Sequence, residues 1–150
     1  MTYADNECLF CKFANKQIET RIIYENDYTM AFLDINPAGE LSGHTLVITK
    51  KHYKNIYDID EKELEELIKT VKKIAIAVKN VSGAEGINII QNNEKAAGQL
   101  IPHIHFHIIP RKNADGIWFD TKRRGLKPLE QGQISDLIRE ELVKLMGWPK

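Results

Sequence analysis

The chain has 150 residues, enough for one compact domain with its own core, and its 43% hydrophobic and 28% charged residues match an ordinary soluble globular protein. Its 21 basic residues balance 21 acidic ones, so it lacks the basic surplus of a bulk nucleic-acid binder. No apolar run approaches the roughly 20 residues that span a bilayer, and the opening MTYADNECLF lacks a signal-peptide layout; a cytoplasmic location is expected, with no membrane and no nucleic acid as partner.

No repeat, low-complexity tract or linker interrupts residues 1–150, which read as a single domain. Cys8 and Cys11, spaced C-x-x-C, fall in a short helix or turn over residues 7–16. A structural disulfide is not expected in a reducing compartment, and no clear strand precedes Cys8 as it would in a thioredoxin-like motif. The pair reads as half a zinc site, whose remaining ligands must be His or carboxylate elsewhere. Residues 22–24 and 29–34 predict two strands around the turn Glu25-Asn26-Asp27. Residues 35–43 carry the breakers Pro37, Gly39 and Gly43, and the β-branched HTLVIT over 44–49 is strand-like. Asp60 opens the best helix, with Glu63 completing a capping-box pattern. Leu64, Leu67, Ile68, Val71, Ile74, Ala75 and Val78 then recur on one stripe, and Gly83 ends it. GINIIQ over 86–91 is a strand, 92–99 a polar loop, and 101–110 a further strand. Residues 111–130 look irregular, and a last helix is expected over about 133–146 with Ile134, Leu137, Ile138, Leu142 and Leu145 on one face. Five strands and two clear helices predict an α+β domain, an antiparallel five-stranded sheet with helices packed on one face.

The stretch His103-Ile104-His105-Phe106-His107-Ile108-Ile109-Pro110-Arg111 holds three of the five histidines. In a strand, alternate side chains share a face, so the three imidazoles are expected together opposite Ile104, Phe106 and Ile108. Surface histidines rarely alternate so strictly. A three-His catalytic metal centre must gather ligands spread over roughly 13–14 Å of strand, which is long for one ion with bonds near 2 Å. Nucleophilic catalysis by imidazole accounts better for several neighbouring rings: one attacks an electrophilic phosphorus, and others orient it and handle protons.

H-I-H-F-H-I-I-P-R resembles the His-apolar-His-apolar-His-apolar-apolar signature of the histidine triad (HIT) family. AFLDINP, GHTLVITKKHY, GINIIQNN and AAGQ precede it in the family's order, so the likeness covers about residues 7–111. It is similar to the prokaryotic-type branch with an N-terminal C-x-x-C. The resemblance implies a HIT-like fold whose sheets join across a homodimer, and a nucleotide hydrolase or nucleotidyl transferase acting at the α-phosphate of purine nucleoside phosphoramidates or dinucleoside polyphosphates. It implies His105 as nucleophile, forming a covalent nucleotidyl-histidine, with His107 at the phosphate and His44 in support. It further implies Asp34 at the ribose hydroxyls and Asn92 and Gln99, with His105 and His107, around the phosphates. Cys8, Cys11, His52 and His103 would then be the ligands of one structural zinc per chain. Leu100 stands where many relatives carry Ser or Thr, which keeps a second expectation open, a nucleotide-binding regulatory module with little catalysis. Residues 111–150 fall outside the signature and their role is not legible.

Overall fold

The computed structural model describes residues 7–119 and 122–147. In chain order it holds α1 (Leu9–Ala14), β1 (Ile22–Glu25), β2 (Thr29–Leu33), β3 (Thr45–Thr49), α2 (Glu61–Ser82), β4 (Gly86–Gln91), β5 (His105–Arg111) and α3 (Pro128–Met146), with one 3₁₀ turn over Lys95–Ala97. The strands form one sheet in the order β1-β2-β3-β5-β4, every neighbouring pair antiparallel. This is the expected α+β architecture. One compact unit runs through Ile117 and a second begins at Trp118.

Strand alternation sorts the first unit's side chains onto two faces. Ala31, Val47, Ile104 and Ile108 pack against Leu67, Val71, Ile74 and Val78 of α2, which burial of apolar area stabilises at about 25 cal/mol per Å². Met30, Phe32, Leu46 and Ile48 point the other way and pack with Phe10 and Phe13 of α1. Because Ile48 pairs with His105 and Leu46 with His107, those two histidines lie on the α1 face. The stripe on α2 differs from expectation in two places. Ile68 is exposed, and buried Thr70 bonds Thr29 at 2.8 Å. Asp60 is the N-cap residue but makes no side-chain cap bond; its Oδ2 accepts from the Tyr53 hydroxyl at 2.8 Å instead. Gly83 ends α2 with φ +69°, a left-handed cap that glycine adopts without a Cβ penalty.

The histidine strand starts later than the alternation suggests. Residues 101–103 turn, the His103 amide donating to Ile101 O at 2.8 Å, and the strand begins at His105. Pro102 has no N–H to offer a ladder, and the amide of Ile104 goes to Tyr53 O. His103 is therefore not the first of three equivalent strand positions. In the second unit, α3 begins about five residues before its expected start, with Pro128 in its first turn, where a missing N–H costs nothing. None of its side chains is buried. Among the described residues no helix is long and apolar enough to cross a membrane.

Candidate functional site

Cys8, Cys11, His52 and His103 converge from three separate segments, their donor atoms all within 4.8 Å of one another. Cys8 is the N-cap of α1, and its Sγ accepts the Cys11 amide at 3.2 Å, so the C-x-x-C spacing puts both sulfurs at the start of one short helix. His103 Nδ1 stands 3.4 Å from each sulfur, and His52 Nδ1 stands 3.2 Å from Cys11 Sγ. A tetrahedral zinc ion with ordinary bond lengths sets S···N edges of about 3.5 Å, so the four donors have metal-site spacing. The far side of His103 agrees. Its Nε2 is 2.8 Å from the carbonyl of Thr49, and a carbonyl only accepts, so Nε2 carries the hydrogen and Nδ1 presents its lone pair to the sulfurs. Such a bond fixes the tautomer of metal-ligating histidines generally. Both cysteines are buried and neither is in a disulfide. The cluster is suited to bind a metal ion.

The second cluster joins the first through one peptide group. His105 Nδ1 is 2.7 Å from the carbonyl of His103, so Nδ1 is the protonated nitrogen and Nε2 keeps the lone pair. Phe10, the residue before Cys11, meets the ring in a T-shaped contact with centroids 5.1 Å apart. His105 is 5% exposed, and its pKa is lowered by that burial, against the opposing bond to His103. A neutral imidazole with its lone pair on Nε2 is the nucleophilic form.

His44 and His107 form a hydrogen-bonded pair, His44 Nε2 to His107 Nδ1 at 3.0 Å. Its direction follows from the backbone. The Ala38 amide donates to His44 Nδ1 at 2.9 Å, so that nitrogen is an acceptor and the hydrogen sits on Nε2. His44 Nε2–H then donates to His107 Nδ1, leaving His107 Nε2 as a protonated donor beside His105, whose ring centroid is 5.0 Å away. Burial pushes His107 down to about 4, helped by repulsion from His105 and His44 and opposed by Asp34. His44 is lowered too, by burial and again against Asp34. The pair is neutral near pH 7 and offers a hydrogen bond rather than a full positive charge.

Asp34 closes this group, its Oδ2 lying 3.6 Å from His44 Nε2, too far for a proper hydrogen bond. Its Oδ1 accepts the Asn36 amide at 2.8 Å, and a carboxylate offers about four lone-pair sites, so both oxygens retain acceptor capacity. Asp34, His44 and His107 also have metal-like spacing, but His44 Nε2 and His107 Nδ1 are already engaged with each other. A cation there would have to displace the hydrogen that the Ala38 amide places on His44 Nε2.

The loop between β4 and β5 behaves unequally. Gln99 is buried, and its side chain is spent on the loop itself: Oε1 accepts the Glu94 amide at 2.8 Å, while Nε2 donates to Lys54 O at 2.6 Å and Ile101 O at 3.1 Å. Both amide hydrogens are used, so Gln99 shapes the loop. Asn92 is half-buried at the end of β4, with its amide nitrogen 3.6 Å from where a Cβ on Gly98 would stand. Leu100 is 87% exposed. The sequence carried no signal for the Ala38 amide, the Thr49 carbonyl or the His103 carbonyl, because any residue supplies those groups.

Comparison with known proteins gives the family. The HIT domain matches residues 15–114. An uncharacterized HIT-like protein of Methanocaldococcus jannaschii is 47% identical over 91% of the chain and 96% of its own length. Adenylylsulfatase HINT3 of Arabidopsis thaliana is 34% identical over 93% of the chain and 72% of its own length. Adenosine 5'-monophosphoramidase HNT1 of Candida albicans is 33% identical, covering 92% of the chain and 93% of itself. A crystal structure from Streptococcus mutans superposes with a TM-score of 0.88 at 36% identity, covering 95% of this chain and 89% of that one. With its signature histidines in place and the matched region spanning the whole sheet, the chain belongs to the HIT domain family.

Proposed function

We propose that this protein is a nucleotide hydrolase or nucleotidyl transferase that works at the α-phosphate through a covalent bond to His105. The observation that carries the reading is the pair of fixed tautomers: a lone pair on His105 Nε2 and a donor on His107 Nε2, each set by backbone groups. In the first step His105 Nε2 bonds to phosphorus, and the bond from phosphorus to the leaving group breaks with its electrons, a sulfate or phosphate departing as the anion and an amine with a proton taken from solvent. The ring gains positive charge, which the Nδ1–H bond to the His103 carbonyl disperses. His107 Nε2–H donates to a non-bridging phosphate oxygen, where negative charge develops, the kind of preorganised donor that lowers such barriers. Water then attacks phosphorus, the Nε2–P bond returns its electrons to the ring, and a proton goes to solvent as the nucleoside monophosphate leaves.

In this reading Asp34 takes the ribose hydroxyls, and Asn92 and the loop backbone line the phosphates. Gln99 contributes by holding that loop, since its amide is already engaged. Relatives named as an adenylylsulfatase and a monophosphoramidase support adenosine monophosphate derivatives as the substrate class. We read residues 1–150 as one functional domain in the cytoplasm, with one structural zinc on Cys8, Cys11, His52 and His103. A panel of adenosine 5'-phosphoramidate, adenylyl sulfate and diadenosine polyphosphates tests the activity. Release of AMP from at least one is expected, whereas AMP binding with no turnover of any would favour the binding-module reading that Leu100 keeps open.

A homodimer joined through its sheets fits the edge strand β4, where Ile89 is exposed, and the exposed Ile76 and Val81 of α2. Sedimentation velocity at assay concentration should return twice the mass of the 17.2 kDa chain. A single species at the monomer mass would remove the dimer from this reading.

A further inference from the structure

We propose that Arg111, Asp115 and Ile117 form a positioning clip, which holds in place the loop whose Ala38 amide sets the proton on His44 and, through it, on His107. The inference rests on the catalytic reading above for its consequence, though not for its geometry.

Arg111 is the last residue of β5. Its guanidinium donates to both oxygens of Asp115, from Nε and from a terminal nitrogen, at 2.7 Å each. It also reaches Asn88 Oδ1 on β4 at 2.6 Å and the carbonyl of Ile117 at 2.8 Å. Asp115 is only 4% exposed and accepts two backbone amides besides, those of Lys112 and Ile117, at 3.1 Å each. The arginine beside it, foremost, holds its carboxyl far below the usual carboxylate range. Two-point Arg–carboxylate pairing is among the more directional side-chain contacts. Here it fixes the segment after β5 as a tight return and anchors Ile117 to the end of the β4–β5 pair.

Ile117 meets the loop before β3 at Gly39. A Cβ added to Gly39 would stand 2.9 Å from Ile117 Cδ1, and Gly39 has φ +85°. A glycine is needed there both for the backbone conformation and for the close approach of the isoleucine. Its neighbour Ala38 is the residue whose amide donates to His44 Nδ1. The chain of contacts is continuous: Asp115 to Arg111, Arg111 to Ile117, Ile117 to Gly39, the Ala38 amide to His44, and His44 to His107. Without the amide, nothing holds Nδ1 as an acceptor, and only the Asp34 carboxylate, 3.6 Å from Nε2, still favours a hydrogen there, so the other tautomer becomes accessible. In the other tautomer Nε2 is an acceptor, and His107 then carries its hydrogen on Nδ1 and loses the donor that faces the phosphate. Arg111, Asp115 and Ile117 are thus positioning residues, acting on the phosphate only through His44 and His107.

Ile117→Ala and Arg111→Gln test the clip in the full, zinc-loaded protein, with Ile117→Leu, which keeps a δ carbon to meet Gly39, as the conservative control. Long-range ¹H–¹⁵N spectra of the imidazoles report the tautomer of each histidine directly. Wild type and Ile117→Leu should show His44 as the pure Nε2–H form, and the two disruptive variants a mixture. Small displacements of catalytic groups cost rate steeply, so kcat should fall about tenfold or more in the disruptive variants while KM moves less than about twofold, with near-wild-type rates in Ile117→Leu. A folded Ile117→Ala protein with the wild-type tautomer pattern overturns the proposal, as does a rate loss that tracks thermal stability alone. Should Arg111→Gln fail to fold, Ile117→Ala decides the matter. The spectra need no turnover, so an inactive wild type would defeat the functional reading and still leave the clip judged by its tautomers.

Discussion

Replacing His105 with Asn is expected to abolish turnover and leave nucleotide binding nearly intact. Asparagine preserves a donor near the Nδ1 position, which faces the His103 carbonyl at 2.7 Å, but it has no lone pair on an aromatic nitrogen to offer phosphorus. Loss of a covalent nucleophile typically removes most of an enzyme's advantage, so kcat should fall about 10⁴-fold or more while AMP affinity changes less than about threefold. Steady-state rates and calorimetric titration of the same preparation give both values. Retained turnover would end the nucleophile assignment.

The pH dependence of the wild-type enzyme bears on the same assignment. In the proposed mechanism, protonating His105 Nε2 removes the attacking lone pair, so activity is expected to have an acid limb. Burial lowers the His105 pKa, which moves that limb below the ordinary imidazole value of about 6.5. Stability has the same sign. His107 sits at about 4 in the fold and titrates near 6.5 when unfolded, so between those values the unfolded chain binds more protons. Stability therefore rises with pH across that window and is flat above it.

Particular residues show how much of this was legible in the sequence. The alternation over 105–109 placed His105 and His107 on one face because strand geometry makes that unavoidable. Gly86–Gln91 and the stop at Gly83 were readable because β-branched runs and a cap glycine act locally. The displaced start of β5 was not readable from alternation, since His103 continues the pattern while its backbone turns toward the cysteine cluster. Long-range partners explain the other departures. Asp60 has the right identity for a cap, but Tyr53 holds its carboxylate, and Gln99 has the right identity for a phosphate contact, but Lys54 O and Ile101 O hold its amide. Side-chain identity states what a residue can bond; only the fold states what reaches it first. The tautomers lie further still from the sequence, because peptide groups that carry no residue-specific signal set them.

Removing the metal separates a structural zinc from a catalytic one, and it should cost stability far more than chemistry. Freshly purified protein is expected to hold about one zinc per chain, as four protein ligands close a tetrahedral site. The ligands join α1, the chain at His52 and the turn at His103, three segments that the ion would tie together. If free zinc stands about 1,000-fold above its Kd, withdrawing it removes about 4 kcal/mol, which for a domain of this size lowers Tm by about 8–16 °C. Cys8→Ser with Cys11→Ser should reproduce the loss. At a temperature where the metal-free protein remains folded, the residual kcat should be within about tenfold of wild type, because in the proposed reading zinc would act on His105 only through the His103 carbonyl. A zinc hydrolase built on the triad itself predicts the reverse: chelation would abolish turnover at once, and the cysteine variants would keep it. The two variants and one chelator, read by calorimetry and by rate, thus assign His103 to the metal and His105 to the phosphorus, or return both to a single centre.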